Sequence, residues 1–316
     1  MPEESALIEK AVCQAQPFIK WAGGKGQLLS TFREFYPQSL ITGKITRYVE
    51  PFVGGGAVLF DVLQSFPVEE AVIIDINRDL INTYRAVRDH VDRLISLLED
   101  MEHKYLAQDM DARKMTFYNI RKAFNSRKVG ANQVDIEKAS QFIFLNKTCF
   151  NGLYRVNKSG GFNVPFGDYK NPTICDTENL TAVSALLEKV KIICGDFRRA
   201  LNYTGSETFV YLDPPYRPLN TTSCFTSYNK QEFSDDDQVA LAKFFRQLHD
   251  TGALLMLSNS DPRNVDPSDN FFDELYKDFN IYRIQAKRAI NSKGDGRGPL
   301  SEILVTNFRS GTDEAN

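Results

Sequence analysis

The segment Asp213-Pro214-Pro215-Tyr216 carries the residue types most specific for chemistry, and it directly follows an apolar run typical of a buried strand, 209–212. In an open α/β sheet, ligands bind beyond the carboxyl ends of the strands. The Asp213 carboxylate and the Pro214 carbonyl are acceptors that could hold the two hydrogens of the adenine amine and direct its lone pair at an electrophile. Tyr216 would stack on a base flipped out of a duplex. A Pro-Pro turn with an N-capping aspartate is the alternative.

A second segment with binding potential is the glycine loop Glu-Pro-Phe-Val-Gly-Gly-Gly, 50–56, followed by Asp75, 21 residues beyond Gly54. Glycines let the backbone approach a ligand closely, and an acidic side chain about 20 residues further on can accept hydrogen bonds from ribose hydroxyls. Val58 and Leu59 occupy the later glycine positions of the dinucleotide motif, which disfavours NAD and FAD. The loop favours a nucleoside cofactor, although a turn that only allows close helix packing explains it equally well.

The third segment, 18–25, contains the only tryptophan, Trp21, and two glycines before Lys25. It is not a phosphate loop, because Gly26 follows Lys25 and no glycine stands five positions before Gly24. An aromatic ring and a cation beside two glycines suit an anionic or carboxylate-bearing ligand. A core tryptophan near a solvated lysine is equally consistent with the segment.

The elements that must position these segments alternate between strand and helix, which indicates a mostly parallel α/β sheet. Asn77 is a plausible N-cap of the long helical segment that follows it. A segment rich in glycine, asparagine and aromatics, 151–169, is expected to form a hairpin or an ordered loop. The predicted strands are 47–52, 70–76, 190–194, 209–212, 253–257 and an antiparallel pair 281–289 and 301–308; the predicted helices are 57–64, 78–100, 114–124, 136–145 and 234–249.

The distribution of charge along the chain is uneven. The net charge is −3, but Arg113 to Lys170 holds 11 Lys and Arg against 3 Asp and Glu, a balance of +8, which leaves −11 for the rest. This contrast suggests one face built to meet a polyanion. A solvated helical surface is the simpler reading of a charge run taken alone.

Composition excludes several classes of protein. The chain has 316 residues, 42% hydrophobic and 25% charged, as in a soluble globular protein of one large or two modest domains. Five scattered cysteines without a C-x-x-C pair and three scattered histidines indicate neither a disulfide framework nor a metal site. No apolar run approaches the roughly 20 residues of a membrane span, and Glu3 and Glu4 stand where a signal peptide carries positive charge. We therefore expect a cytoplasmic protein with no metal and no membrane contact.

Taken together and in this order, Lys-Trp-Ala-Gly-Gly-Lys at 20–25, the glycine loop, Asp75-Ile76-Asn77 and Asp213-Pro214-Pro215-Tyr216 resemble the Dam-type adenine-specific (N6) DNA methyltransferases, which use S-adenosylmethionine. The resemblance covers about 17–308. It implies a Rossmann-like methyltransferase sheet with an inserted helical and β-hairpin DNA-recognition domain: a catalytic domain at 1–105 and 172–316, and a target-recognition domain at 106–171. The implied catalytic residues are Asp213, Pro214 and Tyr216, and the implied cofactor-binding residues are Trp21, Lys25, Gly54, Gly56, Asp75, Asp196 and Asp213.

The same resemblance extends to DNA recognition, because 150–155 and 162–167 are similar to the hairpin by which these enzymes read GATC. It implies base reading by Arg155, bidentate to a guanine, and by Lys20 at the first guanine. Leu153 and Pro165 would touch the other bases, and Asn151 with the aromatic Phe150 would help part the strands. Two positions depart from relatives: Phe150 stands where relatives can have tyrosine, and Asp168 where some carry a basic residue.

The resulting expectation is a monomeric enzyme that transfers a methyl group directly to adenine N6 in double-stranded DNA. Two alternatives stay open: a different acceptor, namely a cytosine amine, an RNA adenine or a protein glutamine amide, and a DNA-binding module that has lost catalysis. A cognate restriction endonuclease is one candidate partner. The sequence does not distinguish that setting from a housekeeping or phage role.

Overall fold

The computed structural model describes residues 13–130, 133–217, 233–286 and 300–309, and its centre is a seven-stranded sheet in the order β3-β2-β1-β4-β5-β7-β6. Neighbouring strands are parallel except at β7, which runs antiparallel to both β5 and β6. The strands are β1 (Arg47–Pro51), β2 (Glu70–Asp75), β3 (Val190–Cys194), β4 (Thr208–Leu212), β5 (Leu254–Ser260), β6 (Asn280–Ala286) and β7 (Leu300–Thr306). The predicted parallel sheet and its antiparallel C-terminal pair are confirmed, while 287–289 of the predicted pair lie outside the described residues.

Helices cover both faces of this sheet. They are α1 (Leu29–Phe35), α2 (Gln38–Ile41), α3 (Ala57–Ser65), α4 (Arg78–Asp89), α5 (Val91–Leu106), α6 (Met110–Ser126), α7 (Ile136–Thr148), α8 (Thr177–Leu187), α9 (Asp235–Asp250) and α10 (Phe271–Leu275). Short 3₁₀ turns lie at Lys25–Gln27, Phe150–Gly152, Phe197–Tyr203 and Pro262–Asn264. Sequence analysis did not predict α1, α2, α8 or α10.

The prediction of one continuous helix over 78–100 is wrong, because the chain turns at His90 and forms α4 and α5 instead. His90 has φ −145° and ψ 37°, outside the helical region. Both helices pack against the 13-residue helix α7, which is only about 20 Å long at 1.5 Å per residue. A straight helix spanning α4 and α5 would extend well beyond α7, so the turn allows both apolar faces to be buried. The predicted cap is confirmed, since the Asn77 side chain accepts from the amides of Asp79 and Leu80.

Strand order determines where a ligand can bind. The chain leaves β1 toward β2 and β3 on one side, and then returns to form β4 on the other side of β1. The carboxyl ends of β1 and β4 therefore flank a topological switch point, where open α/β sheets form their binding crevice. The glycine loop follows β1 and Asp213 follows β4, so the fold brings two of the three predicted segments to this crevice.

The segment after α7 folds back on itself, as the hairpin prediction requires, but it does so without regular strands. Isolated antiparallel bridges join Cys149 to Phe166 and Val156 to Phe162. Phe162 is 4% exposed and packs on Phe124 of α6 and on Tyr154. The aromatic side chains thus anchor this segment on the helices, while its polar residues lie at the surface.

Not all of the positive charge in 113–170 lies on a surface, so only part of it is available to meet a polyanion. Arg113 and Lys138 are 8% and 6% exposed. The Lys138 ammonium pairs with Asp79 at 3.0 Å. Both cations therefore make contacts within the fold. Lys138 neutralises the Asp79 carboxylate, and Arg113 donates to backbone carbonyls.

Arg113 satisfies backbone carbonyls at the end of α5 and in the segment behind it. Its Nε donates to the carbonyls of Tyr105 and Gln108 at 3.0 Å, and its two terminal nitrogens donate to those of Leu106 and Lys170 at 2.6 Å. The last carbonyls of a helix have no partner within the helix. Arg113 therefore links the end of α5 to the chain that follows the folded-back segment, 149–166.

Replacing Arg113 with methionine should lower the free energy of unfolding by roughly 2–4 kcal/mol, because four buried or partly buried hydrogen bonds to backbone carbonyls are lost. The matched control is Lys114→Met, which removes the same charge from the exposed neighbouring position and should change stability by no more than about 0.5 kcal/mol. Urea denaturation of both variants measures the difference. Equal effects would contradict the role assigned to Arg113.

Candidate active site

The three segments identified from their chemistry line one cleft at the carboxyl ends of β1, β2 and β4. The cleft has a volume of about 1580 Å³. Its lining includes the ranges 21–27, 52–58, 74–79, 195–198 and 213–216. Part of the folded-back segment, including Tyr154 and Gly160, borders the same space.

Glycine is required at two positions of the glycine loop, because of the backbone conformation there and because neighbouring side chains pack closely against it. Gly54 and Gly56 have φ values of 50° and 74°, in the left-handed region that glycine adopts without strain. A Cβ on Gly54 would lie 2.7 Å from Trp21 Cδ1, and a Cβ on Gly56 would lie 2.6 Å from the Tyr84 hydroxyl oxygen. Trp21 therefore packs directly on the loop, and the backbone of the loop faces the cleft without side chains at these two positions.

Asp75 places a carboxylate beside this loop, at the end of β2. Its oxygens accept from the amide of Asn77 at 2.8 Å and from the amide of Gly54 at 3.4 Å. Burial raises the pKa of Asp75 to about 6. The carboxylate is thus fixed at the cleft wall, with acceptor capacity left for a ligand.

Two aromatic rings, neither of them among the predicted site residues, form another part of the cleft. Phe52 and Phe197 stack with ring centroids 5.2 Å apart and an angle of 29°. Phe52 has φ 70°, a conformation that is costly for a residue with a side chain and is held here by its surroundings. The sequence feature that could have identified these two rings is an aromatic residue in the turn after β1 and another in the turn after β3.

Asp196 lies at the same end of the sheet as these rings. It caps the 3₁₀ turn Phe197–Tyr203 by accepting from the Arg198 amide at 2.9 Å, and it pairs with the Arg198 guanidinium at 3.0 Å. Its side chain is 48% exposed. Asp196 thus reaches the cleft, but its charge is shared with Arg198.

Lys25 connects the N-terminal segment to Asp213, the acidic residue after β4. The ammonium lies 2.9 Å from Asp213 Oδ2 and donates to the Gly23 carbonyl at 2.6 Å. Lys25 is 4% exposed, so the reading of a solvated lysine in this segment is wrong. Burial raises the pKa of Asp213, and the charge of Lys25 acts in the opposite direction.

Tyr216 and Pro214 complete the segment after β4. The Tyr216 hydroxyl donates to Glu302 Oε2 on β7 at 2.7 Å, and Lys25 Nζ lies 4.6 Å from the centre of the Tyr216 ring. Pro214 is buried and lines the cleft beside Asp213. One part of the cleft therefore combines the carboxylate acceptors of Asp213, the ring of Tyr216 as a stacking surface and the ammonium of Lys25.

The residues predicted to read DNA lie on the surface next to the cleft, with Leu153 half-buried among them. Phe150 is 51% exposed; Asn151, Arg155 and Pro165 are also exposed. Arg155 Nε donates to Asn163 Oδ1 at 2.8 Å, which orients the guanidinium across the folded-back segment. The structure groups these side chains on one segment of the chain.

Lys20 is brought to this segment by Asn146, a buried residue of α7 that sequence analysis missed. Asn146 accepts from the Lys20 amide and donates to the Lys20 carbonyl, both at 2.8 Å, and it donates to the Gly152 carbonyl at 3.0 Å. A Cβ on Gly152 would lie 2.3 Å from Lys20 Cδ. Lys20 and the folded-back segment are therefore held in fixed proximity.

Residues 21–290 match the family described as D12 class N6 adenine-specific DNA methyltransferase. The chain belongs to this family. Over 296 residues, 93% of the chain, it is 53% identical to the full length of the Type II methyltransferase M.MjaIII of Methanocaldococcus jannaschii. It is 39% identical to the Type II methyltransferase M1.LlaDCHI of Lactococcus lactis subsp. cremoris, covering 96% of this chain and 99% of that one. It is 33% identical to the DNA adenine methylase of Vibrio cholerae serotype O1, covering 91% and 94%.

Family membership confirms the resemblance drawn from the motifs, the α/β methyltransferase fold and the enzymatic activity. This methyltransferase acts on the N6 amine of adenine in DNA, so the alternatives of cytosine, RNA, protein and an inactive module are not supported. Within the described ranges, no helix is long and apolar enough to cross a membrane. The same part of the chain contains no cluster of three or more His, Cys, Asp or Glu side chains suited to a metal ion.

Glu50, at the end of β1, is a further acidic residue of this methyltransferase cleft. It is 2% exposed, and the Tyr48 hydroxyl donates to its Oε2 at 2.8 Å. Burial raises the pKa of Glu50 to about 8, and the nearby charge of Asp213 acts in the same direction. The folded protein therefore retains a proton on Glu50 that the unfolded chain releases near its ordinary pKa of 4.5.

This difference predicts that stability falls as pH rises between about 6 and 8, because the folded state binds more protons than the unfolded state there. The decrease should reach at most about 1.4 kcal/mol per pH unit, and Glu50→Gln should remove most of it. Urea denaturation across this pH range measures the slope, with the exposed Glu69→Gln as control. A Glu50→Gln variant that kept the full slope of the unmodified protein would contradict the assignment.

Proposed function

We propose that this methyltransferase transfers the methyl group of S-adenosylmethionine to adenine N6 within GATC in double-stranded DNA, acting as a monomer. The observation that supports this proposal most directly is the ion pair of the buried Lys25 with Asp213. The pair joins the N-terminal segment to the amine-binding segment in the cleft that also contains Gly54 and Asp75. One cleft at the switch point can therefore serve both the methyl donor and the target base.

The described residues fit S-adenosylmethionine, which supplies an electrophilic methyl group on a sulfonium when bound. Gly54 and Gly56 keep side chains out of the space beside β1, and Asp75 offers a carboxylate to the ribose hydroxyls. Phe52 and Phe197 supply aromatic surface for the purine ring.

Three further residues complete the proposed cofactor site. Asp196 would accept from the purine amine. Trp21 and Lys25 line the same cleft, and a cation suits the carboxylate end of the methionine moiety.

In the methyl-transfer step, Asp213 and the Pro214 carbonyl would accept the two hydrogens of the adenine amine and hold its lone pair in line with the methyl group. The Asp213 carboxylate stabilises the positive charge that develops on the nitrogen as the bond between the methyl carbon and sulfur breaks, and the methylated amine then releases one proton to become neutral. Tyr216 stacks on the base, which must leave the duplex to reach the cleft. Lys25 holds Asp213 in place through the 2.9 Å contact.

The target sequence is proposed to be read by the surface segment next to the cleft. Arg155 and Lys20 would donate to guanines, which present two acceptors in the major groove. Leu153 and Pro165 would contact the other base pairs. Phe150, which is 51% exposed, would insert with Asn151 where the strands part.

This division of labour supports a target-recognition domain at 106–171 and a catalytic domain at 1–105 and 172–316. The two are not independent, because Lys20 of the catalytic part is fixed to Asn146 of α7. Two of the relatives named above are Type II methyltransferases. We therefore propose a restriction-modification setting with a cognate restriction endonuclease as partner.

Transfer of labelled methyl from S-adenosylmethionine to duplexes with one GATC or with that site scrambled tests the proposal. Label in adenine of the GATC duplex alone is the expected result. Label in both duplexes would overturn the sequence specificity while retaining the reaction. No label in either would contradict the cofactor or the acceptor.

Arg155→Ala should reduce discrimination against duplexes in which a guanine of GATC is replaced, by about 1–3 kcal/mol. Lys158→Ala, an exposed cation of the same segment, is the matched control and should affect all duplexes alike. The ratio of kcat/KM values for the two kinds of duplex measures the effect. If both variants changed the ratio equally, Arg155 would not be a base-reading residue.

A further inference from the structure

A chain of buried hydroxyl groups lies behind Asp213. Ser258, on β5, is 0% exposed, and its Oγ lies 2.9 Å from Asp213 Oδ1. The Tyr211 hydroxyl, also fully buried, lies 2.8 Å from the same Oγ. The strand register explains this arrangement, because Leu212 of β4 pairs with Leu257 of β5, so that Asp213 and Ser258 come next and share a face with Tyr211.

The direction of these hydrogen bonds follows from the donors available. A carboxylate can only accept, so Ser258 donates its single hydroxyl proton to Asp213. Ser258 then has only acceptor capacity left, and Tyr211 donates to it. The chain of hydrogen bonds therefore runs from Tyr211 through Ser258 to the carboxylate.

Asp213 is thereby held at both of its oxygens. Oδ1 accepts from Ser258 and Oδ2 from Lys25, each at 2.9 Å. Two bonds to different oxygens fix the rotation of the carboxylate plane. Since a carboxylate has about four acceptor positions, the positions that remain are directed by these two bonds, and the Asp213 side chain is 20% exposed toward the cleft.

We propose that Ser258 is a positioning residue for methyl transfer, which orients the Asp213 carboxylate toward the adenine amine and is itself oriented by Tyr211. This proposal rests on the function proposed above for Asp213. If Ser258 only filled space in the core, it would need no hydrogen bond to Asp213. A folded Ser258→Ala variant would then methylate at the rate of the unmodified enzyme.

The test compares Ser258→Ala with the unmodified enzyme in single-turnover methylation at saturating S-adenosylmethionine and duplex. We expect a rate lower by on the order of 10- to 100-fold, as for loss of a hydrogen bond to a charged group. The KM for the cofactor should change little. Ser260→Ala is the matched control, because this hydroxyl of the same strand donates to the Arg217 carbonyl rather than to Asp213.

A pH profile separates positioning from a purely structural role. Loss of a donor to the carboxylate makes its ionised form less favourable, so the acidic limb of the rate profile should move to higher pH in Ser258→Ala. The other titratable or charged groups that face Asp213 are unchanged between the two enzymes: Lys25, Glu50, Tyr211, Tyr216 and Glu302.

Tyr211→Phe provides a second variant, which retains the hydroxyl of Ser258 and should give a smaller decrease in the same direction. If Ser258→Ala fails to fold, the rate and the acidic limb of Tyr211→Phe test the proposal instead. An unchanged rate in a folded variant, or a lower rate with an unmoved acidic limb, would overturn the proposal. If the unmodified enzyme labelled no adenine at all, the function proposed above would fail instead, so the two failures are distinguishable.

Discussion

The ion pair between Lys25 and Asp213 is the interaction on which the geometry of the cleft depends. Lys25 is 4% exposed, and a buried ammonium is stable only when an opposite charge and further acceptors compensate its lost hydration. Asp213 and the Gly23 carbonyl supply that compensation. The pair holds the segment before α1 against the end of β4, even though the two are far apart in the sequence.

Further contacts connect this pair to two other parts of the structure. Toward the sheet, Ser258 fixes the other oxygen of Asp213. Toward the folded-back segment, Trp21 packs on the glycine loop and stacks on Tyr154, with ring centroids 5.5 Å apart. Because Trp21 contacts both, the proposed cofactor site and the proposed DNA-reading segment share a rigid boundary. Asn146 adds a second link through Lys20.

Much of this arrangement was predictable from local patterns. Apolar runs located the central strands, and Asn77 marked the start of α4, because both depend on short stretches of sequence. The turn at His90 was not predictable, since it depends on the length of α7. The burial of Lys25 and the left-handed backbone of Phe52 were also missed, because they are set by residues distant in the sequence.

The central claim is that Lys25 acts on the methyl-transfer step through Asp213, and a double-mutant cycle tests it directly. The rate of single-turnover methylation at saturating S-adenosylmethionine would be measured for Lys25→Met, Asp213→Asn and the double variant on a duplex that the unmodified enzyme methylates. Residues that act as one unit show strongly non-additive losses, so Lys25→Met should have little further effect once Asp213 is replaced. Losses that multiply in the double variant would contradict the claim and assign Lys25 an independent role.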